Sequence, residues 1–232
     1  MKAFVITLWR DEYSERKADE CLASGAKFGI EVLKWRGVNR TIAMETMENE
    51  GLKWSWAKNN TVKTICPKTG LQQFPYTAAD IRAKIGCSMS HYMLWRFCAL
   101  SDEPILILEH DAVFVGPIPE DIEFNGICQI NDPNGATRKG GWWSQQMKAR
   151  GTTGAHEKTW VTTVAERLIP DGLAGNSAYM IKPWAAQELV NKFHEIGVWP
   201  NDATMCKQLF PYLEEYYPFI TKVNQTQSTT ME

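Results

Sequence analysis

The sequence carries almost no net charge of either sign. Its 25 lysine and arginine residues are balanced by 27 aspartate and glutamate residues, which gives a formal net charge of -2 at pH 7. Proteins that bind nucleic acid or anionic membrane surfaces usually have a strong excess of basic residues. The composition therefore argues against nucleic acid and against a charged membrane surface as partners.

Long apolar runs are also absent. A transmembrane helix needs about 20 consecutive, mainly apolar residues, and no segment of the chain approaches that length. The apolar run at residues 2–9 is too short for a secretory signal peptide, because Arg10, Asp11 and Glu12 follow it directly. We therefore expect a cytoplasmic protein with no transmembrane segment.

Closely spaced cysteines and glycine-rich nucleotide fingerprints are missing as well. The six cysteines form no C-x-x-C pair, although such pairs are typical of zinc clusters. We therefore expect free, buried thiols of the kind found in reducing compartments. No G-x-G-x-x-G motif follows the first apolar segment, which argues against a dinucleotide cofactor.

What the sequence does contain is the pattern of a single α/β domain. A length of 232 residues with 44% hydrophobic residues is enough to bury one full core. The chain opens with a strand at residues 3–8, a helix at about 13–24 and a strand at 31–35, an order that predicts a parallel strand pair. We expect one domain over residues 1–232, with a flexible loop around 132–160 and a polar C-terminal tail.

Hydrophobic periodicity and turn residues predict the remaining elements. Further helices are predicted at residues 40–58, 78–100, 183–197 and from 201 or 202 to about 210. Further strands are predicted at residues 105–108, 122–130, 161–164 and 177–181. Gly51 interrupts the first of these helices, and the proline- and glycine-containing residues 59–77 predict a loop.

The most informative stretch is an apolar strand that ends on acidic residues. Ile105–Leu108 has the composition of a strand buried on both faces. Buried carboxylates are costly unless they are paired or bound to a metal. Glu109 and Asp111 are therefore expected at the carboxyl edge of the sheet, where open α/β folds bind ligands. Because side chains alternate along a strand, these two carboxylates are expected to face one cation, with His110 pointing away.

Two motifs around this strand resemble a known family. Residues 84–95 contain G-C-x-x-S-H-x-x-x-W, and after a short spacer the chain continues I-L-E-x-D-A-x-F. This pair of motifs, in this order, resembles glycosyltransferase family 25, the lipopolysaccharide and collagen galactosyltransferase group. Family members usually read E-D-D where this chain has Glu109, His110 and Asp111. Thinner similarity is found in the opening strand and at residues 176–181, 199–202 and 225–229.

The resemblance implies a fold and a reaction. The fold would be a GT-A-like nucleotide-sugar-binding sandwich, with a mostly parallel central sheet flanked by helices. The reaction would transfer a hexose from a nucleotide-sugar donor, expected to be UDP-linked, to a hydroxyl of a glycan or glycoconjugate acceptor, with inversion. Oxygen ligands suit Mn²⁺ or Mg²⁺. Asp111 is the candidate main ligand, and Glu109 is a second ligand or an anchor for ribose and water.

The same resemblance suggests residues for the donor. In enzymes of this fold the opening strand and helix hold the nucleotide, which makes Thr7, Leu8 and Arg10 candidates, with a plain scaffold role as the alternative. Arg82 and Lys84 are two cations before the first motif, and both could bind the diphosphate. A solvated helix face is the alternative for these two residues.

Four residues of the two motifs are further candidates for nucleotide-sugar binding. His91 belongs to the S-H pair and is either a pocket residue or a structural histidine. Ser90 could bind the nucleotide or its own helix backbone. Glu109 and His110 are the other two candidates, although a neutral imidazole in place of a carboxylate could weaken a metal site.

The acceptor is expected near a glycine-rich stretch. Residues 131–160 contain five glycines and show no clear period, which is typical of a functional lid or of disorder. Trp142 and Trp143 lie in this stretch, and we predict that they belong to a mobile loop over the acceptor. Disorder with incidental tryptophans is the alternative. Asn176 ends a small-residue loop, residues 171–176, against which a sugar could pack.

An inverting transfer needs a base that takes the proton of the acceptor hydroxyl. Asp202 is the main candidate because it follows Trp199, Pro200 and Asn201, a segment similar to one in the family. It is either that base or a helix N-cap, and the two roles are compatible. Asp171 is a weaker candidate.

Two other functions stay open from the sequence. The chain could be a catalytically inactive sugar- or nucleotide-binding protein of the same fold, an alternative that His110 supports and the retained Glu109 and Asp111 oppose. A metal-dependent phosphohydrolase would share the carboxylates. Such a site would need more histidine and aspartate ligands than the four scattered histidines of this chain readily supply.

Overall fold

Strands and helices alternate along the chain. The computed structural model describes residues 1–57, 62–75, 80–134, 140–161, 164 and 166–224. The strands are β1 (Lys2–Thr7), β2 (Val32–Arg36), β3 (Thr64–Ile65), β4 (Gln72–Gln73), β5 (Ile105–Glu109), β6 (Ala112–Phe114), β7 (Ile127–Gln129), β8 (Asn131–Asp132), β9 (Gly154–Glu157), β10 (Ala178–Ile181), β11 (Leu213–Tyr217) and β12 (Thr221–Val223). The helices are α1 (Glu12–Ala26), α2 (Ala43–Asn49), α3 (Ile81–Ala99), α4 (Gly140–Arg150), α5 (Pro183–Ile196) and α6 (Asn201–Thr204).

The main sheet has seven strands in the order β2-β1-β5-β10-β7-β11-β9. β1 runs parallel to both β2 and β5, and β7 runs parallel to β11. β10 is antiparallel to β5 and β7, and β9 is antiparallel to β11. All strands but β9 and β10 therefore point the same way. A smaller sheet, β6-β12-β8, and the hairpin β3-β4 complete the strands of the described residues.

Each face of the main sheet is covered by helices, which confirms the predicted α/β fold. Ile105 and Ile107 of β5 belong to the hydrophobic cluster that also holds residues of α3 and α5. Leu106 and Leu108 belong to the opposite cluster, which holds residues of α1. All four side chains are at most 2% exposed, so this strand is buried on both faces as its composition predicts.

The long helix α3 is held against the connection that follows β2. A Cβ atom at Gly86 would overlap with the carbonyl oxygen of Val38, so this contact requires glycine. One turn further on, the Ser90 hydroxyl donates to the Gly86 carbonyl (2.7 Å) and accepts the Val38 N–H (2.8 Å). Ser90 therefore fixes the position of α3 through the backbone, which is the second of the two roles predicted for it.

Residues 131–160 are not the irregular loop that the sequence predicts. Within this stretch, α4 spans Gly140–Arg150 and β9 spans Gly154–Glu157, whereas residues 135–139 lie outside the described part. α4 buries Trp143 and Met147, which are four residues apart and share one helix face. The surrounding glycines obscured this short periodic signal. The closing of this segment over an acceptor stays a prediction.

Several predicted element boundaries are also wrong. The predicted strand 122–130 is reduced to Ile127–Gln129, and the helix predicted at 40–58 to Ala43–Asn49, which ends just before Gly51. Val161 and Val164 are not in a strand, and residues 162 and 163 lie outside the described part. The predicted helix 201–210 is only Asn201–Thr204. No helix in the described ranges is long and apolar enough to cross a membrane.

Candidate functional site

β5 ends at Glu109, and the next two residues form a turn. His110 and Asp111 lead directly into β6, so the alternation of a strand does not extend to Asp111. Glu109 continues the face of Ile105 and Ile107, towards α3. The argument that placed Glu109 and Asp111 on one face by strand geometry is therefore wrong, because the strand ends two residues too early for it.

Glu109 is bound by Ser177, just before β10, and by His91 of α3. Its N–H donates to the carbonyl of Ser177 (2.8 Å), and its Oε2 accepts the Ser177 hydroxyl (3.4 Å). Its Oε1 lies 3.2 Å from His91 Nε2 on α3. The carboxylate is 31% exposed, so it is fixed on one side and accessible on the other.

His91 belongs to a chain of buried hydrogen bonds. Its Nδ1 lies 2.8 Å from the Tyr179 hydroxyl, which in turn lies 2.8 Å from Trp95 Nε1. The indole N–H can only donate, so the Tyr179 oxygen accepts from it. Each N–H and O–H group of this hydrogen-bond network has an acceptor when Tyr179 donates to His91 Nδ1 and His91 Nε2–H donates to Glu109. The geometry therefore assigns the neutral Nε2–H form to His91, a form that orients the Glu109 carboxylate.

Replacing Tyr179 with phenylalanine tests this assignment. The indole N–H of Trp95 would lose its buried acceptor, so unfolding should become easier by roughly 1–3 kcal/mol. Nitrogen NMR of the His91 ring should show Nε2–H in the natural protein and a mixture of forms in the variant. Tyr212→Phe is the control, since the Tyr212 hydroxyl binds Glu188 at the surface. A natural protein with the proton on Nδ1 would contradict the assignment.

The charge on Glu109 is favoured by its surroundings. Burial would raise the pKa of this carboxyl, but the hydrogen bond from His91 and the positive charge of Lys84 help to lower it below its usual value. Glu109 is therefore ionised at neutral pH. An ionised, partly exposed carboxylate at a strand end can bind a cation or accept hydrogen bonds from sugar hydroxyls.

Asp111 has the opposite environment. Its side chain is 4% exposed, and its Oδ1 has no hydrogen-bond partner among the described residues. Burial, followed by the charge of Glu109, raises the pKa of Asp111 to about 7. An acid in this state is costly to ionise in the folded protein unless a cation or a donor reaches it. Carboxyl groups with a strongly raised pKa are often found at functional sites.

His110 lies beside the beginning of α1. Its Nδ1 is 3.2 Å from the hydroxyl of Ser14, and its ring meets Tyr13 edge-on with the centroids 5.9 Å apart. Burial lowers the pKa of His110, with Glu109 and Asp11 opposing that effect. A neutral imidazole at this position contributes no charge of its own to a cation site.

A group of three side chains near Glu109 has the composition of a metal site. Ligand atoms of Cys87, His91 and Glu109 lie within 4.8 Å of one another. However, burial and then Glu109 raise the pKa of the Cys87 thiol, which lies 3.6 Å from Asn201 Oδ1. A protonated thiol is a poor metal ligand. Both ring nitrogens of His91 also have partners, so this group fits a metal less well than Asp111 does.

The predicted donor residues at the end of β1 have intramolecular partners. The Thr7 side chain is buried and its hydroxyl donates to the Val5 carbonyl (3.2 Å). The Leu8 N–H donates to the Ser14 hydroxyl (2.8 Å). Arg10 is exposed and has a positive φ of 65°. Their role in donor binding stays a prediction.

The two cations predicted for the diphosphate differ from each other. Arg82 is exposed and binds both oxygens of Asp80, the residue that caps α3. Lys84 lies one turn before Cys87, and its charge lowers the pKa values of both Glu109 and Cys87 against the larger effect of burial. Of the two cations, Lys84 is therefore the one whose charge acts on the carboxyl edge of the sheet.

A cleft of about 800 Å³ brings together four predicted residues. Trp142 and Trp143 of α4 line it, together with Asp171 and Asp202. The two indole rings meet edge-on, with centroids 4.7 Å apart. The predicted acceptor-binding tryptophans and the two candidate bases therefore share one cavity.

The two aspartates of the cleft have different partners. Asp171 is 2% exposed and forms an ion pair with the buried Lys158 (2.7 Å), and its other oxygen accepts the Val161 N–H (2.9 Å). Asp202 is exposed and accepts the Ala203 N–H (2.9 Å). The N-cap of α6 is Pro200, without a side-chain bond, so the interpretation of Asp202 as a helix cap is wrong. The bonds of Asp171 give it a structural role.

Asn176 lies at the sheet edge and is absent from the described lining of the cleft. It is 5% exposed, its amide nitrogen lies 3.9 Å from the sulfur of Met205, and its Oδ1 has no partner among the described residues. The next residue, Ser177, binds Glu109. Asn176 therefore places a second buried polar atom close to the end of β5.

Sequence reasoning missed three residues of the site. Cys87, Trp95 and Tyr179 surround His91, but none of them was assigned a role there. A signal was present, because Cys87, His91 and Trp95 are spaced by four residues and must share one face of α3. Tyr179 comes from β10, and its approach to His91 depends on the strand order, which no local pattern contains.

Comparison with known proteins gives one decisive match. A model of glycosyltransferase family 25 (LPS biosynthesis protein) matches residues 78–205, more than half of the chain. No curated protein sequence matches significantly. The apo crystal structure of mouse xyloside xylosyltransferase 1 resembles this chain at 9% identity and a TM-score of 0.42, over 91% of this chain and 83% of that one, which is too distant to carry an argument. On the family match, the chain belongs to glycosyltransferase family 25.

Proposed function

We propose that this glycosyltransferase moves a hexose from a UDP-linked sugar to a hydroxyl of a glycan or glycoconjugate acceptor, with inversion and with Mn²⁺ or Mg²⁺. The observation that carries the proposal is the buried Asp111 carboxylate, whose Oδ1 has no partner among the described residues, next to the ionised Glu109. In this proposal the pair forms an acidic edge for the donor, and the cleft lined by Asp171 and Asp202 takes the acceptor. We place the reaction in the cytoplasm.

The residues at the edge fit a hard divalent cation. Asp111 would be the main ligand and Glu109 a second ligand or an anchor for ribose and water, since carboxylate oxygens suit Mn²⁺ and Mg²⁺. When bound, the ion would neutralise the leaving diphosphate as a Lewis acid. A cation there would also relieve the unfavourable burial of the Asp111 charge.

The donor would bind along the same edge. Lys84 has a charge that acts on Glu109, and we propose it as the diphosphate-binding cation, with Arg82 further out. Thr7, Leu8 and Arg10 would contribute the wall at the end of β1. His91 and Ser90 would act indirectly, because His91 orients Glu109 and Ser90 fixes α3.

The proposed catalytic base is Asp202. After burial, the charges that raise the pKa of the Cys87 thiol include Glu109, Asp202 and Asp111, with Lys84 opposing them. The charges of these three carboxylates thus act on one thiol of α3, and Asn201, the neighbour of Asp202, lies 3.6 Å from that thiol. We propose that Asp202 takes the proton of the acceptor hydroxyl while Trp142 and Trp143 position the acceptor.

A panel of UDP-sugars tests the proposal. Free UDP is measured with the full chain, with and without Mn²⁺ and with several acceptor glycosides. Release of UDP that depends on Mn²⁺ and increases with an acceptor is expected. Binding of UDP without release for every sugar and acceptor would identify an inactive binding protein. Release of inorganic phosphate instead would indicate a phosphohydrolase.

Variants of His110 test whether the proposed metal site is complete without a carboxylate at this position. Because its ring contacts Ser14 and Tyr13, His110→Ala should keep the Mn²⁺ affinity within about threefold, less than ~1 kcal/mol. Calorimetric titration with Mn²⁺ in the presence of UDP measures it. His110→Asp, which gives the usual family triplet, is the companion variant. A loss of tenfold or more in His110→Ala would make His110 a ligand.

A further inference from the structure

The cleft beside Asp202 is lined almost wholly by apolar side chains. Its described lining includes Trp56, Phe74, Trp142, Trp143, Ile169 and Leu173. Among the described lining residues, only Asp171 and Asp202 have charged side chains. The volume of about 800 Å³ is in the upper half of the range for ligand sites, roughly 300–1,000 Å³. The cleft therefore has room for more than one sugar ring.

The part of the cleft around Asp171 does not favour a charged ligand. The Asp171 carboxylate is compensated by Lys158, and both side chains are at most 2% exposed. Lys158 also lies over the ring of Trp143, with its Nζ 4.6 Å from the ring centroid. An ion pair this deeply buried contributes no net charge to the cavity, so the occupant of this part is expected to be uncharged.

The walls of the cleft are held in place before any ligand binds. The Trp56 indole N–H donates to the Phe74 carbonyl (2.7 Å), and its ring meets Trp199 edge-on at 5.0 Å. At the rim, Phe74 is 42% exposed and Trp142 is 46% exposed. The rim thus leaves large apolar surfaces in water, and a bound ligand that covers them gains hydrophobic free energy.

A bare saccharide does not match this lining. Sugar hydroxyls that leave water need hydrogen-bond partners, and a cavity of mostly apolar side chains supplies few of them. We infer that the cleft binds the uncharged, apolar aglycone of a glycoconjugate acceptor and holds the reacting sugar hydroxyl next to Asp202. The position of that hydroxyl rests on the proposed function, whereas the binding of the aglycone does not.

Two glycosides that share one sugar test the inference. The full chain is titrated by calorimetry with methyl and with n-octyl β-galactoside, below the concentration at which the octyl compound forms micelles. Octyl galactoside should bind at least about tenfold more tightly, which requires the burial of about two methylene groups. The same pair of glucosides should show the same preference, because the apolar group provides it.

Two exposed phenylalanines form a matched pair of variants. Phe74→Ala removes a lining side chain and should reduce the octyl preference at least about threefold. Phe28→Ala removes a side chain of similar exposure, 37%, that is not among the lining residues, and it should leave the preference unchanged. Both residues lie at the surface, so both variants are expected to fold.

The outcomes distinguish this inference from the proposed function. Equal affinity for the methyl and octyl glycosides, or an equal loss of preference in both variants, overturns the inference. Displacement of the octyl glycoside by UDP alone also overturns it, because the donor would then occupy the cleft. An octyl preference in a protein that releases no UDP from any UDP-sugar supports the binding of an apolar aglycone in the cleft and contradicts the proposed function. UDP release without an octyl preference supports the proposed function and overturns the inference about the aglycone.

Discussion

Replacing Asp202 with asparagine is expected to reduce glycosyl transfer by a factor of ~10² or more, with donor binding and melting temperature unchanged. The asparagine cannot take a proton, but its amide oxygen can still accept the Ala203 N–H that Asp202 accepts in the structure. Because Pro200 occupies the cap position, the change removes no helix cap. Initial rates of UDP release with an acceptor, calorimetry with UDP and thermal melting measure the three quantities.

Asp102→Asn is the control for this prediction. Asp102 is an exposed aspartate in the loop before β5, at the opposite end of that strand from Glu109. Its variant should transfer sugar at the natural rate. If Asp202→Asn also transfers at a near-normal rate, Asp202 is not the base. Asp171 would not readily replace it, because its carboxylate is bound to Lys158 and to the Val161 N–H.

Replacing Asp111 with asparagine should abolish the Mn²⁺-dependent binding of UDP and stabilise the metal-free protein. The folded state raises the pKa of Asp111 to about 7, mainly through burial. The folded protein therefore holds a proton that the unfolded chain loses, and its stability falls as the pH rises from about 4 to 7. Asparagine carries no charge to bury, so the variant avoids this loss.

The size and pH dependence of this effect can be measured by thermal melting in EDTA. At pH 8 the variant should be more stable by about 2 kcal/mol or more, which corresponds to roughly 4–8 °C for a chain of this length. At about pH 4, near the ordinary pKa of this carboxyl in the unfolded chain, the difference should be much smaller. Added Mn²⁺ should raise the melting temperature of the natural protein but not that of Asp111→Asn. Equal responses to Mn²⁺ would contradict the role of Asp111 as ligand.

The sheet and its central strand could be predicted from the sequence because their signals are local. The run Ile105–Leu108 is apolar at every position, and this marks a strand buried on both faces. The parallel pairing of β1 and β2 followed from the order strand, helix, strand. The motif around Cys87 and His91 identified the family, and the match over residues 78–205 confirms it.

The details of the site depended on contacts between distant segments. The environment of Asp111 arises from the turn after β5 and from the pairing of β6 with β12, more than 100 residues later. The partner of Asp171 is Lys158, in a stretch that shows no clear hydrophobic period. α4 was missed because glycines flank the short helix that buries Trp143 and Met147. Such relations are set by tertiary packing, which local propensity does not encode.

The most direct test of the account is a crystal structure of the protein soaked with UDP and Mn²⁺, with the metal located by its anomalous scattering. The account predicts one manganese peak within about 2.5 Å of an Asp111 oxygen, with the UDP diphosphate next to it and the cleft at Asp202 free of nucleotide. A peak bound by Cys87, His91 and Glu109 without Asp111, or UDP bound with no metal at this edge, would contradict it.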